Sequence, residues 1–239
     1  MRIRTVRRTA PHGPAPSAPS ARSIRSRRTL RLPRSVRAPG SGPAAAVAAA
    51  AAALALLSAA PAAASPAPGF LAPDQLPPHA SSPWRAGDVT DGLPDPEPFC
   101  MDGALPDEPG GTHQRVYGTE YDTGAVQVTV VSRTPEAAGE LAARLERRAA
   151  GCAADWQAEN PDGTADGQDY GTVDAGDSAH VYGVHTAPPE SEHGVSLFGI
   201  AREGSTVTLV RWAQMGTLDD APVDAFRGTT ATAVHNLRH

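Results

Sequence analysis

Between Ala125 and Trp156 the spacing of apolar positions changes from a period of two to one of three and four. Val126, Val128 and Val130 alternate with Gln127 and Thr129, the pattern of a half-buried strand. Ala138, Leu141, Ala142, Leu145, Ala149, Cys152 and Trp156 then form the apolar stripe of an amphipathic helix over Pro135–Gln157. Thr134 is a suitable N-cap, and Pro135 fits a first helical turn, where its missing N–H has no partner to lose. Glu136 and Glu140 lie toward the positive end of the helix dipole; Arg144, Arg147 and Arg148 lie toward the negative end. Cys152 sits on the stripe, so its sulfur is expected to point at the sheet.

The same reading places further elements on either side. His113–Glu120 is a strand with Arg115, Tyr117 and Thr119 on one face, and Tyr121–Gly124 turns it into the valine strand as a hairpin. Residues Glu159–Gly167 form a loop, Tyr170–Val173 a short strand and Asp174–Asp177 a turn. A strand around His180, Tyr182 and Val184, a polar turn over Pro188–His193, and strands at Val195–Arg202 and Val207–Trp212 follow. The last two are joined by the tight turn Glu203–Ser205. Asp219 or Asp220 would cap a final helix with Pro222 in its first turn and Val223, Phe226, Thr230, Val234 and Leu237 on its apolar face. The order is ββα ββββ α. Short turns force antiparallel pairing, so the expected fold is α+β: an antiparallel sheet of about five to six strands with two helices packed on one face.

Upstream the material is different. Residues 1–42 hold eleven Arg and no acid, and Pro43–Ala64 is a short alanine-rich apolar run ending in small residues. This is the grammar of a secretory signal, with cleavage expected between Ala64 and Ser65. The apolar core is too short for a confident membrane span, so membrane attachment is expected only through a signal left uncleaved. Ser26-Arg27-Arg28-Thr29-Leu30 resembles a twin-arginine export motif, with an arginine-rich leader as the plainer reading. The organisation expected is residues 1–64 leader and signal, 65–83 proline-rich linker, in which Phe70, Leu71 and Leu76 are candidates for docking, and 84–239 a single domain. Within that domain, Trp84–Gly111 reads as an ordered coil with Leu93, Phe99, Met101 and Leu105 as anchors.

Removing the leader changes the charge. All 26 acidic residues but only ten of the 21 basic ones follow Ala64, so the formal charge there is −16 against −5 for the whole chain. Such a surface disfavours nucleic acid or anionic lipid as partner. The chain has two cysteines, Cys100 and Cys152. In an exported chain one disulfide between them is the default, and closing so long a loop is worth about 4 kcal/mol in the chain-entropy picture.

Catalytic patterns are thin. Gly176-Asp177-Ser178 resembles the GDS block of the SGNH esterases, and Asp177-Ser178-Ala179-His180 adds a D-x-x-H spacing. However, a triad needs its three groups to converge, which neighbours along one extended strand do not. His180, His185, Glu190, Glu192 and His193 could be imagined as a zinc cluster, but His180 and His185 are an odd number of positions apart and face opposite sides of a regular strand. Asp162–Gly167 lacks the alternating ligands and closing Glu of a calcium loop. Trp156 and Trp212 read as core and Trp84 as a plug. No catalytic, cofactor or metal residues are assigned.

The leader, the proline-rich linker, a Cys before the first hairpin, and a helix of the form Thr-Pro-Glu-Ala-Ala…Cys-Ala-Ala-Asp-Trp together resemble the PknH-like extracellular sensor domains of Actinobacteria. The likeness covers roughly Gln75–Leu237 and is strongest over Thr134–Trp156. It implies an antiparallel sheet with helices packed on it and a cleft for an extracellular ligand. That family typically carries two disulfides where this chain can form one, and this chain has neither a kinase domain nor a lipid-carrying Cys after the apolar run. The function expected is a secreted, non-catalytic sensor-like or ligand-binding domain. Its partner would be an extracellular small molecule, a cell-wall fragment or a protein. The alternatives are a secreted hydrolase using the Ser178/His180 region, and a protease-inhibitor-like module presenting Pro188–His193. N-terminal sequencing of the exported form is expected to begin at Ser65; a start upstream of Pro43 would remove the cleaved-signal reading.

Overall fold

The structure, a computed structural model, describes residues 69–107 and 111–238. The leader and the Ala64/Ser65 position lie outside them. The elements are β1 (Arg85–Ala86), β2 (Thr90–Asp91), β3 (Thr112–Gly118), β4 (Gly124–Val131), α1 (Pro135–Glu159), β5 (Thr164–Thr172), β6 (Ser178–Ala187), β7 (Gly194–Glu203), β8 (Thr206–Met215) and α2 (Val223–Asn236). All pairings are antiparallel, in the order β1-β3-β4-β8-β7-β6-β5, with β2 also on β3.

The α+β class with an antiparallel sheet and two helices is therefore as read from the sequence, and the strand count is eight. The two added strands, β1 and β2, are two-residue pieces of the Trp84–Gly111 coil. The loop expected over Glu159–Gly167 is shorter, because β5 begins at Thr164. Thr134 caps α1 as expected, its Oγ1 accepting from the Ala137 N–H at 3.2 Å. The cap of α2 differs. Pro222 stands at its N-cap without a side-chain bond, while the Asp220 carboxylate accepts from the N–H and hydroxyl of Thr217. Asp220 folds back on its own short turn and is not available to the helix.

The helices do not share a face. Residues paired across antiparallel strands point to the same side, and the core divides along that parity. On one side, Leu141, Leu145 and Cys152 of α1 pack with Val126, Val128, Tyr182, Phe198, Ile200 and Leu209. On the other, Phe226 and Ala233 of α2 pack with Val181, Leu197, Val210 and Trp212. The middle strands β7 and β8 are apolar on both sides, as strands covered on both faces must be. A Cβ at Gly199 would run into Thr230 of α2, so glycine permits that helix its close approach.

Two helices are too narrow to cover the sheet, and coil from before β3 completes each layer. On the α1 side, Met101, Ala104 and Leu105 are buried in the core. This coil is held to the helix by the Cys100–Cys152 disulfide, with Cα atoms 5.7 Å apart, and by bonds from Arg144 Nε to the Ala104 carbonyl and Arg148 Nε to the Cys100 carbonyl. On the α2 side, Leu71 and Leu76 are buried, so the proline-rich stretch belongs to the packed body from Leu71 onward. Its anchor is Gln127, which has no exposed surface. Gln127 Oε1 accepts from the Leu71 N–H at 2.9 Å, and its Nε2 donates to Thr208 Oγ1 at 3.1 Å. The Tyr117 hydroxyl donates to the Leu71 carbonyl at 2.9 Å. Burial pushes the Tyr117 phenol well above its ordinary pKa, so it stays a donor.

Removing Gln127 would leave a backbone N–H and a hydroxyl buried without partners, each costing about 1–3 kcal/mol. Gln127→Leu is therefore expected to destabilise by about 3 kcal/mol in urea denaturation, although it adds apolar surface; a loss below about 0.5 kcal/mol would show that the Leu71 segment is held by its own burial.

Candidate functional site

The cover over the α1 side stops short at one end of the sheet. Three rows of paired residues show how. In the first, Val126, Arg211 and Phe198 stand side by side on β4, β8 and β7. In the second the neighbours are Gly124, Ala213 and Ser196. In the third they are Met215, Gly194 and Thr186. Bulky side chains give way to glycine, alanine and serine, and the floor drops. The result is a hollow of about 380 Å³, with Phe99 as one wall, Arg211 at its inner end and Asp122 and Met215 at its rim.

Arg211 decides the chemistry of this place. Its Nη2 donates to Ser196 Oγ at 3.0 Å, and the guanidinium carbon lies 5.7 Å from the centre of the Phe99 ring. Its Nε–H is buried without an acceptor. Among the described residues no carboxylate lies within ion-pair distance of it. Burial lowers its pKa from the ordinary arginine value, and a guanidinium so placed still stays charged. Arg211 as a whole is only partly buried, yet a cation drawn this far out of water with one hydroxyl and one aromatic face for company is incompletely compensated. Phe99 directly precedes Cys100, which is disulfide-bonded to α1 and lies in the left-handed region at φ 62°.

The residues picked out from the sequence fall elsewhere. Asp177 accepts from Arg202 Nη1 and from the Gly204 N–H, both at 2.8 Å, so it does not orient His180. His180 instead meets Asp169 on the neighbouring strand, Nε2 to Oδ1 at 2.6 Å, and stacks on Tyr182 with ring centres 4.4 Å apart. No hydrogen bond joins Ser178 to this pair among the described residues. Burial, with the Glu146 and Asp169 charges, pushes the Tyr182 phenol up to about 12, so it is neutral at ordinary pH. His185 lies on the opposite face and pairs with His193, Nε2 to Nδ1 at 3.0 Å, with Asp166 Oδ2 at 3.7 Å from its Nδ1. Among the described residues no group of three or more His, Cys, Asp or Glu is placed to hold a metal ion. The Pro188–His193 turn is exposed from Pro189 on, but Glu190 is left-handed at φ 55°, so the loop is bent rather than extended. Trp212 is buried, while Trp156 is only half-buried against Gly163. Other hollows, of about 550 Å³ beside the end of α2 and about 740 Å³ inside the Pro73–Trp84 arch, lack a buried charge.

Arg211 and the Asp169–His180 pair were not picked out from the sequence. The signal for Arg211 was present: one charged residue at a core-facing position of Val207-Thr208-Leu209-Val210-Arg211-Trp212. No family model matches the chain, and no curated protein is similar to it.

The His180 bond, followed by the Gly171 N–H, holds the Asp169 carboxyl below the ordinary value of 3.8. A depressed carboxyl stabilises the fold at pH values above its unfolded pKa, and that contribution is lost as pH falls through the folded one. NMR titration is expected to place Asp169 below 3.8 and to move it up toward that value in His180→Ala, with the Gly171 N–H keeping part of the depression; an Asp169 midpoint already at the ordinary value would dissolve the pair.

Proposed function

We propose that this protein is an exported, non-catalytic ligand-binding domain of the sensor-like kind, and that the hollow walled by Phe99 is where it binds. The observation that carries this reading is Arg211: a partly buried cation with no carboxylate within ion-pair distance among the described residues, lining a ligand-sized space. Small-molecule sites are concave and mostly apolar, with a few placed polar groups. Phe99, Ala213, Met215 and the glycines supply the apolar part here, and Arg211, Ser196 and Thr186 the polar part. The dispersal of Asp177, Ser178 and His180 into separate interactions favours binding over hydrolysis. The likeness to PknH-like sensor domains points the same way, since a cleft for an extracellular ligand is what that family implies.

A fragment screen of the full-length protein by ligand-observed NMR tests the reading. Hits are expected to shift amides of Ser196 and Ala213, and to be lost in Ala213→Leu, which fills the floor. Ser178→Ala is expected to leave binding unchanged. Hits that all map away from the hollow, or an ester hydrolysis abolished by Ser178→Ala, would replace the proposal with another site or with the hydrolase reading.

A further inference from the structure

We infer that the ligand of this hollow is a monocarboxylate with an apolar body, its carboxylate on Arg211 and its body against Phe99. The inference rests on the reading of the hollow as a binding site and adds the chemistry of what it takes. A guanidinium has five N–H donors. In Arg211 one of them is used, by Ser196 Oγ; the Nε–H is shut off from solvent and ligand alike, and the two N–H of Nη1 have no protein acceptor among the described residues and are not enclosed. The Phe99 ring attracts the cation with its face but offers no lone pair to an N–H. What is missing is an acceptor with several lone pairs and one negative charge. A carboxylate has both, in the planar geometry that matches the guanidinium fork.

The number of charges follows from the surroundings. Among the described residues Arg211 is the sole basic residue lining the hollow, and Asp122 stands at its rim. The chain beyond Ala64 carries a formal −16. A dianion such as phosphate would bring a second charge into this field with no second cation to meet it. A neutral amide would satisfy N–H donors but leave the positive charge uncompensated. The shape of the body follows from the lining: an aromatic wall, a floor of Gly124, Ala213 and Gly194, and the half-exposed Met215 at the mouth. A methionine there adapts to an aliphatic chain or a ring. The volume of about 380 Å³ is near the lower end for small-molecule sites.

The test is a titration of the full-length protein, by calorimetry and by amide shifts, with benzoate, hexanoate, benzamide and inorganic phosphate. Benzoate and hexanoate are expected to bind and to shift Ser196 and Ala213. Benzamide and phosphate are expected to bind at least tenfold more weakly. In Arg211→Met, benzoate affinity is expected to fall at least tenfold while Tm holds or rises, because the variant removes a partly buried charge that has no carboxylate partner among the described residues. Arg211→Lys keeps the charge without the fork and is expected to fall between the two; it serves also if Arg211→Met does not fold. Equal binding of benzoate and benzamide, equal binding of phosphate, or benzoate binding that survives in both variants would overturn the inference. A fall in Tm of Arg211→Met with benzoate binding intact would make Arg211 a structural residue and overturn it as well. Neutral fragments alone seated in the hollow would overturn the carboxylate and leave the binding site standing, whereas no fragment in the hollow would end both.

Discussion

A sheet that is apolar on both faces needs two covers, and the described residues supply only one helix for each. Everything else about the architecture follows from that shortage. The middle strands β7 and β8 present Phe198, Ile200 and Leu209 to one side and Leu197, Val210 and Trp212 to the other. Leaving any of these in water forfeits about 1.5–3 kcal/mol each. Coil from before the first long strand completes both layers, and coil lacks the internal hydrogen-bond ladder that makes a helix a self-supporting cover. It must be pinned from outside. One piece is pinned covalently, by Cys100 to Cys152, and the other by the buried amide of Gln127. The two pins act differently. The disulfide narrows the unfolded ensemble, while Gln127 satisfies backbone polarity that burial of Leu71 would otherwise orphan.

The hollow is where that cover runs out. Packing a helix over the last row of the sheet would require α1 to extend past Glu159, where Asn160 instead ends it with a bond from its Nδ2 to the Trp156 carbonyl. Small residues at Gly124, Ala213, Ser196 and Gly194 then deepen the exposed row, and Arg211 is set where the apolar core ends. An arginine at a core-facing position weakens the fold, and cores ordinarily avoid it. Sites of function are where such local costs concentrate, which is in keeping with the binding role proposed for the hollow. The exposed edge on the other side is handled in the opposite way. β5 carries Asp166 and Asp169 and has a register shift between Asp169 and Gly171, features that discourage another strand from adding to the sheet.

Much of this was legible from the residues because it depends on local pattern. The alternation of Val126, Val128 and Val130, the stripe from Ala138 to Cys152 and the Thr134-Pro135 start are each decided within a few positions, and so was the pairing of the only two cysteines. What was not legible depends on pairing between distant segments. Val207-Thr208-Leu209-Val210 reads equally well as a strand with one apolar face or with two; only the packing of α1 and α2 on opposite sides tells them apart. Asp169 meets His180 through the register of β5 on β6, which local periodicity does not encode. Asp220 looks like a helix cap by composition, but its carboxylate reaches Thr217, three residues back, before it can reach α2. Arg211 was hidden by its neighbours, since a single charge in an apolar run is easily assigned to the solvent side.

The fold and the hollow share one further part, the residue pair Phe99–Cys100. The backbone of Cys100 is held in a region that side chains seldom adopt, with its sulfur bonded to α1 and its carbonyl accepting from Arg148. Three constraints on one residue leave its neighbour little freedom, and that neighbour is the aromatic wall over Arg211. The staple that closes the α1 layer therefore sits one residue from the wall of the hollow. This differs from building a site on a mobile loop. On the proposed reading of the hollow, a wall fixed by a covalent bond gives up adaptability but arrives already in place, so that ordering it need not be charged against the free energy of binding. A chain with few other means of stiffening its coil has put its one disulfide where the same constraint serves the core and the hollow together.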